Sequence, residues 1–201
     1  MVSVRINGED SSITGDGLPK VADLVELIKS VIDPDHMITG ILIDGRDLAE
    51  DEWYSNVNQL GTSIIEVETG TPEEFVASRL SRASDIVRAC YLEFRDARKS
   101  FQDGDLSTGN QKLATAVNTL KAYFEWYNTL LGLVPEQRRA AFEISDQVNA
   151  LSETCKRICQ QQLYQSWWAL GESLEKDLEP KLDKLEDFCR KAAREGWIAQ
   201  P

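Results

Sequence analysis

Histidine is almost missing from this chain of 201 residues, which has one, His36. Nucleophilic triads pair a histidine with Ser or Cys, so His36 alone is available for that chemistry. It stands beside Pro34-Asp35 in a predicted loop and reads as a surface histidine. With no histidine after residue 36, the Glu-x-x-His pattern of di-iron helical bundles is excluded. There is no glycine-rich GxxxxGK[ST] phosphate loop. Basic residues are the minority, 22 Lys/Arg against 34 Asp/Glu for a net charge of −12. Nucleic acid and anionic membrane both need a positive field, so neither is an expected partner. No run approaches the roughly 18 apolar residues of a membrane helix. Met1-Val2-Ser3-Val4-Arg5-Ile6 lacks the basic segment and apolar core of a signal peptide. The four cysteines, Cys90, Cys155, Cys159 and Cys189, form no CxxC and no dense disulfide framework. These absences predict a soluble, reduced, cytoplasmic protein.

What is present is enough apolar residue for packed cores, 42% with five Trp. The chain changes character at Thr69-Gly70-Thr71-Pro72. Before this seam hydrophobic residues alternate as in strands around one helix. After it they recur every three and four positions for more than a hundred residues. Charge changes at the same place: residues 1–71 hold 4 Lys/Arg against 14 Asp/Glu, and residues 72–201 hold 18 against 20. The expected fold is α+β in two domains, an acidic module over 1–70 and an antiparallel helical bundle of three to four long helices over 71–201.

In the first module Val2, Val4 and Ile6 alternate with polar residues, and Asn7-Gly8 signals a hairpin turn into a strand over 9–14. Val21, Leu24, Val25, Ile28 and Ile32 have helical spacing after Pro19, which predicts a helix over 19–32. Residues 38–43 read as a third strand ended by Asp44-Gly45, and 63–69 as the last. The order β-β-α-β-β resembles the ubiquitin-like β-grasp superfamily, most clearly in Ile41-Leu42-Ile43-Asp44-Gly45-Arg46-Asp47-Leu48, Leu60 and Ser63-Ile64-Ile65-Glu66-Val67. Modifiers and sulfur carriers of that superfamily act through a free C-terminal Gly-Gly. Here the last strand runs on into Thr71-Pro72, so carrier chemistry is not expected. The resemblance places Leu42 at one position of the superfamily's apolar binding patch. Alternation puts Glu66 and Glu68 together on the outward face. That face reads either as an ordinary solvated strand surface or as a docking face for a Lys/Arg-rich partner. Trp53-Tyr54 reads as buried loop packing, with an exposed aromatic anchor as the alternative.

Thr71-Pro72-Glu73-Glu74 is a helix start, with Thr71 as cap and Glu74 closing a capping box. Val76, Leu80, Ala83, Val87, Cys90, Phe94, Ala97 and Phe101 then follow at 4,3 spacing, a bundle seam on one predicted helix. Asp103-Gly104-Asp105 ends it. Leu113, Val117, Leu120, Phe124, Tyr127 and Leu131 form the second seam, stopped at Gly132, and Pro135 is the expected start of the third helix. So short a link makes these two antiparallel neighbours. The third line runs through Ala141, Ile144, Val148, Leu151, Cys155, Ile158, Leu163, Trp167, Leu170 and Leu174, and resumes after a phase slip at Leu178, Leu182, Leu185 and Cys189. Gly171 and Pro180 bracket the expected turn or kink. The last helix is expected to end near Glu195, with Gly196 as its stop and Trp197 tying it down.

Cys155 and Cys159 share a helical face and could supply two thiolates, yet most of the cysteines fall on core lines where Cys packs as a small apolar residue. No metal, cofactor or catalytic residue is expected. Paired carboxylates are abundant, as a charge-rich surface requires. The sharpest signal is aromatic: Trp126 and Trp168 point away from the seams, where a large apolar side chain implies contact with something else. The reading is a non-enzymatic protein-interaction module, a cytoplasmic adaptor or chaperone-like binder using Trp126, Trp168, Leu42, Glu66 and Glu68. Its partner would be another protein, either basic or presenting an amphipathic helix. Two rivals stand beside it: a structural homo-oligomer whose bundle helices pair between chains, and an enzyme or small-molecule or metal sensor with a pocket in the aromatic, Cys-containing bundle.

Overall fold

The computed structural model describes residues 2–15 and 17–195. The chain divides into two compact units, Met1–Phe75 and Val76–Pro201. The first holds a mixed five-stranded sheet, and among the described residues every strand lies in it. β1 (Ser3–Ile6) and β2 (Glu9–Thr14) form the expected hairpin, turning through Asn7 and Gly8 at φ 51° and 82°. That pair of left-handed residues is what an Asn-Gly turn supplies. α1 (Val21–Lys29) follows, then β3 (Met37–Ile43), a two-residue β4 (Arg46–Asp47), two 3₁₀ turns over Glu50–Tyr54 and Val57–Leu60, and β5 (Ile64–Gly70). The strand order is β2-β1-β5-β3-β4, with β1 and β5 parallel and every other pair antiparallel. This arrangement is compatible with a β-grasp-like domain. Val4, Ile43, Ile65 and Val67 meet Val21, Leu24, Val25 and Ile28 of α1 in one core. Trp53 packs against that core, while Tyr54 is exposed with Lys20 Nζ 5.9 Å from its ring. Trp53 thus follows the buried-packing reading and Tyr54 does not. Arg46 grips Glu52 through both guanidinium nitrogens, and this bond, with the Ala49 N–H, holds the Glu52 carboxyl down to about 2.

α2 (Pro72–Leu80) opens on the expected capping box: Glu74 N–H donates to Thr71 Oγ1 at 3.2 Å and Thr71 N–H to Glu74 Oε2 at 3.0 Å. The single helix expected from here to Phe101 is interrupted. After α2, Ser81 Oγ donates to the Ser78 carbonyl and Arg82 N–H to the Arg79 carbonyl, one tightened turn before α3 (Ala83–Gln102). The seam runs through the break, and all eight of its residues are buried. α4 (Leu106–Leu133) is capped by Asp105, whose carboxylate accepts from Thr108 N–H at 3.0 Å. Its inner line is Leu113, Ala116, Leu120, Tyr123, Tyr127 and Leu130. Val117 and Phe124, expected inside, are half-buried. Both lines are apolar, so spacing alone could not choose between them.

The third helix does not start at Pro135. α5 (Glu136–Arg139) and a 3₁₀ turn (Ala140–Phe142) come first, because Phe142 is fully buried and its carbonyl accepts the Tyr127 hydroxyl at 2.9 Å. α6 (Ser145–Leu163) then begins, with Glu143 accepting from Ser145 N–H. It runs antiparallel to α4: Gln162 bonds Asn110 near one end, and Phe142, just before α6, bonds Tyr127 toward the other. The turn expected between Gly171 and Pro180 lies earlier, at Tyr164–Ser166. α7 (Trp167–Ser173), a π-helical turn (Leu174–Leu178) and α8 (Glu179–Glu195) form one unbroken rod, the fourth long helix. The π turn accounts for the phase slip. It adds a residue to the turn before Pro180, which cannot donate a backbone bond, and it keeps Leu170, Leu174, Leu178 and Leu182 all facing inward. α3 packs between α4 and α8. The long helices bury their stripes against one another within one chain. Gly196 and Trp197 lie outside the described residues. Among the described residues no helix is long and apolar enough to cross a membrane.

Candidate interaction surfaces

The outward face of the sheet carries the three residues singled out there. Leu42 on β3 stands directly across from Glu66 on β5, and Glu66 in turn pairs with Arg5 on β1. Arg5 Nη1 lies 3.7 Å from Glu66, and Arg5 Nε donates to Asp10 at 2.8 Å. Glu68 is exposed and lies beside Gly40, with its carboxylate over the glycine's missing side chain. Arg5 therefore offsets part of the negative charge on this face, and Leu42 is half-buried beside it. Sequence alternation puts both glutamates on the outward face but could not show that β1, the parallel neighbour, sets an arginine beside Glu66.

Trp126 and Trp168 do not share a surface. Gly109 on α4 packs on the Phe101 ring, where an added Cβ would come within 2.8 Å, and Phe101 stacks on Trp167 at 5.6 Å. Trp126 lies seventeen residues farther along the same helix, about 25 Å away at helical rise. It is half-buried against Tyr123, ring centroids 5.9 Å apart, whereas Trp168 is 79% exposed. The two should respond differently to truncation. Trp126→Ala is expected to cost about 1–2 kcal/mol in urea unfolding, and Trp168→Ala to stay within about 0.5 kcal/mol of the parent. Equal losses would mean that Trp168 is packed after all.

Trp168 instead belongs to a cluster that the seam spacing missed. Leu163 and Tyr164 are each 77% exposed, although Leu163 falls on the predicted core line. The cause is the way α6 ends. Gln165 takes φ 55°, its N–H donates to the Gln162 carbonyl, and Ser166 N–H donates to the Gln161 carbonyl. This paired closure turns the chain sharply, and it usually employs glycine at the left-handed position. Glutamine there costs about 1 kcal/mol and gives no sequence signal of a stop. Beyond the turn, Trp167 folds inward onto Phe101 and Trp168 is left outside. Leu106, at the start of α4, is also exposed at this end of the bundle. One signal was available in the sequence: residues 158–171 contain no charged side chain, in a chain that is 28% charged.

The reactive residue types are quiet. All four cysteines are free thiols. Cys90 and Cys189 are buried in the core, where the Cys189 sulfur meets the Tyr123 hydroxyl at 3.1 Å. Burial pushes the Cys90 thiol up to about 11, and burial with the neighbouring Cys159 does the same to Cys155. Cys155 and Cys159 edge a cleft between α4 and α6 of about 220 Å³, lined also by Phe94, Leu113 and Val117. Ligand sites commonly reach roughly 300–1,000 Å³. Among the described residues no three His, Cys, Asp or Glu side chains stand close enough to hold a metal. His36 is half-buried ahead of β3, its N–H on the Asp33 carbonyl. The chain matches no protein-family model, no curated protein and no solved structure.

Proposed function

We propose that this protein is a non-enzymatic, cytoplasmic protein-interaction module in which a ubiquitin-like β-grasp domain and a helical bundle each offer a docking surface. The observation that carries the reading is the Leu163, Tyr164 and Trp168 cluster, three large side chains more than three-quarters exposed around a well-formed turn. Monomeric soluble proteins rarely leave such a patch uncovered without use. Tyr and Trp are also the residues that dominate interface energetics. The second surface is the sheet face with Glu66, Glu68 and Leu42, acidic enough to favour a basic segment even with Arg5 offsetting part of the charge. Trp126 is then a bundle residue rather than a contact.

The test is capture of partners from the native host with the parent chain, with Tyr164→Ala/Trp168→Ala, and with Glu66→Lys/Glu68→Lys. Each double variant should keep the parent's circular dichroism and lose its own set of partners. If both variants retain the full set, the adaptor reading is wrong.

A further inference from the structure

We infer that Cys155 and Cys159 form a two-coordinate binding site for a soft monovalent cation, Cu(I). Both stand in the interior of α6, both are free thiols, and both line the cleft between α4 and α6. They are close enough for the charge of one to act on the other. Cys159 is exposed and Cys155 half-buried, so an arriving ion meets the outer thiol first.

The first argument is spacing. Two residues four apart on a helix hold their Cβ atoms about 5–6 Å apart. A disulfide needs about 3.5–4.5 Å. Joining the two sulfurs directly would therefore distort α6 in its middle. One ion between them removes the misfit. Two metal–sulfur bonds, each about 2.3 Å as in thiolate zinc sites, put the sulfurs up to about 4.6 Å apart, a span that Cβ atoms one turn apart accommodate with the helix intact. On binding, two thiol protons leave to solvent and two sulfur–copper bonds form, with no change of oxidation state.

The second argument is donor number and softness. Zinc takes four protein ligands, or three and a water. Among the described residues no three His, Cys, Asp or Glu side chains gather to supply them. Two thiolates suit an ion satisfied by two soft ligands, and Cu(I) is that ion. The cleft walls agree. Phe94, Leu113, Val117 and Ile158 are apolar, and the hard amide oxygens of Asn118 and Gln162 are not what Cu(I) seeks.

The third argument is charge. Two thiolates beside an apolar wall carry two negative charges. Cu(I) cancels one. Lys181 on α8 answers the other: its Nζ donates to the hydroxyl of Thr154, the residue before Cys155, and its charge favours the Cys155 thiolate. The loaded site is then formally neutral, which is the state that a half-buried cleft tolerates.

Anaerobic titration of the full chain with Cu(I), in competition with bicinchoninate, tests this. One Cu(I) per chain should be withheld from the chelator, and X-ray absorption should show two sulfur neighbours. Cys159→Ser changes an exposed position and should leave circular dichroism unchanged while weakening the hold at least about a hundredfold, because losing a ligand costs more than the roughly 10–100-fold lost with a ligand's outer hydrogen-bond partner. Cys155→Ala should weaken it as much. The loaded chain should sediment as the unloaded one does, and Zn(II) offered in the same way should stay with its chelator. A parent that yields all its Cu(I) to bicinchoninate, either variant holding Cu(I) as firmly as the parent, a copper-bridged dimer, a third protein ligand on the copper, or equal retention of Zn(II) each overturns the inference.

Discussion

Arg98→Ala is expected to destabilise the helical unit by about 3–5 kcal/mol, more than any surface substitution in the chain. Arg98 on α3 is the partner of Glu179, the first residue of α8, with side chains 12% and 8% exposed. Arg98 Nε donates to Glu179 Oε1 at 2.7 Å, and its Nη1 lies 3.1 Å from Glu175. Without the guanidinium, Glu179 would keep a carboxylate in the α3–α8 interface with only the Tyr91 hydroxyl, 3.4 Å away, to answer it. The loss comes from stranding that charge rather than from any large net gain of the pair. Arg98→Leu with Glu179→Leu should therefore lie near the parent or above it, and a double-mutant cycle in urea should show strong coupling. A single-variant loss below about 1 kcal/mol would mean that water reaches the pair. The consequence extends to the proposed interface. α7, the π turn and α8 are one rod, so the Arg98–Glu179 anchor fixes how far that rod slides along α3 and hence where Trp168 is presented.

The sequence carried most of the architecture, because its signals were of the kind that local physics enforces. Asn7-Gly8 makes its hairpin, and Thr71 and Glu74 make their capping box, since each is decided within four residues. The alternation of Val2, Val4, Ile65 and Val67 reports burial on one face directly. Misreadings arose where two apolar solutions competed or where no special residue marked a change. Tyr123 rather than Phe124 faces inward because Tyr123 finds the Cys189 sulfur for its hydroxyl, a partner 66 residues away. Phe142 delays the third helix because a core site waits for it, which Pro135 does not reveal. Between Gly171 and Pro180, the bracket of the expected turn or kink, the chain forms a π turn inside an unbroken rod.

The candidate surface was half legible. Trp168 stood off the seam and is exposed. Leu163 stood on the seam and is exposed as well, because Gln165 ends the helix in a conformation that normally calls for glycine. Pattern counting extends a stripe until something visible stops it, so a stop made by an ordinary residue turns a surface leucine into an apparent core one. Trp126 shows the converse. It stands off the seam, but α4 is apolar over a wide arc, and the indole rests on Tyr123.

In the first unit, Leu24→Ala is expected to cost about 2–5 kcal/mol. Leu24 is fully buried at the centre of α1, in the one core that joins this helix to the sheet. A unit of about 75 residues has total stability on the order of 4–11 kcal/mol, so this single truncation removes a large share of it. Hydrogen exchange of the full chain reads the result strand by strand. Amides of β1, β3 and β5 should lose protection by about 30-fold or more, which is that cost expressed as an opening constant. Amides of α3, α4 and α8 should keep theirs, because their stripes are closed by one another and draw nothing from Leu24. Equal loss in both sets would mean that the chain unfolds as one cooperative body and that the seam near residue 70 has no energetic meaning. Protection confined to the helices would establish the opposite: a sheet free to open, or to be remodelled by a basic partner, without disturbing the turn that presents Tyr164 and Trp168.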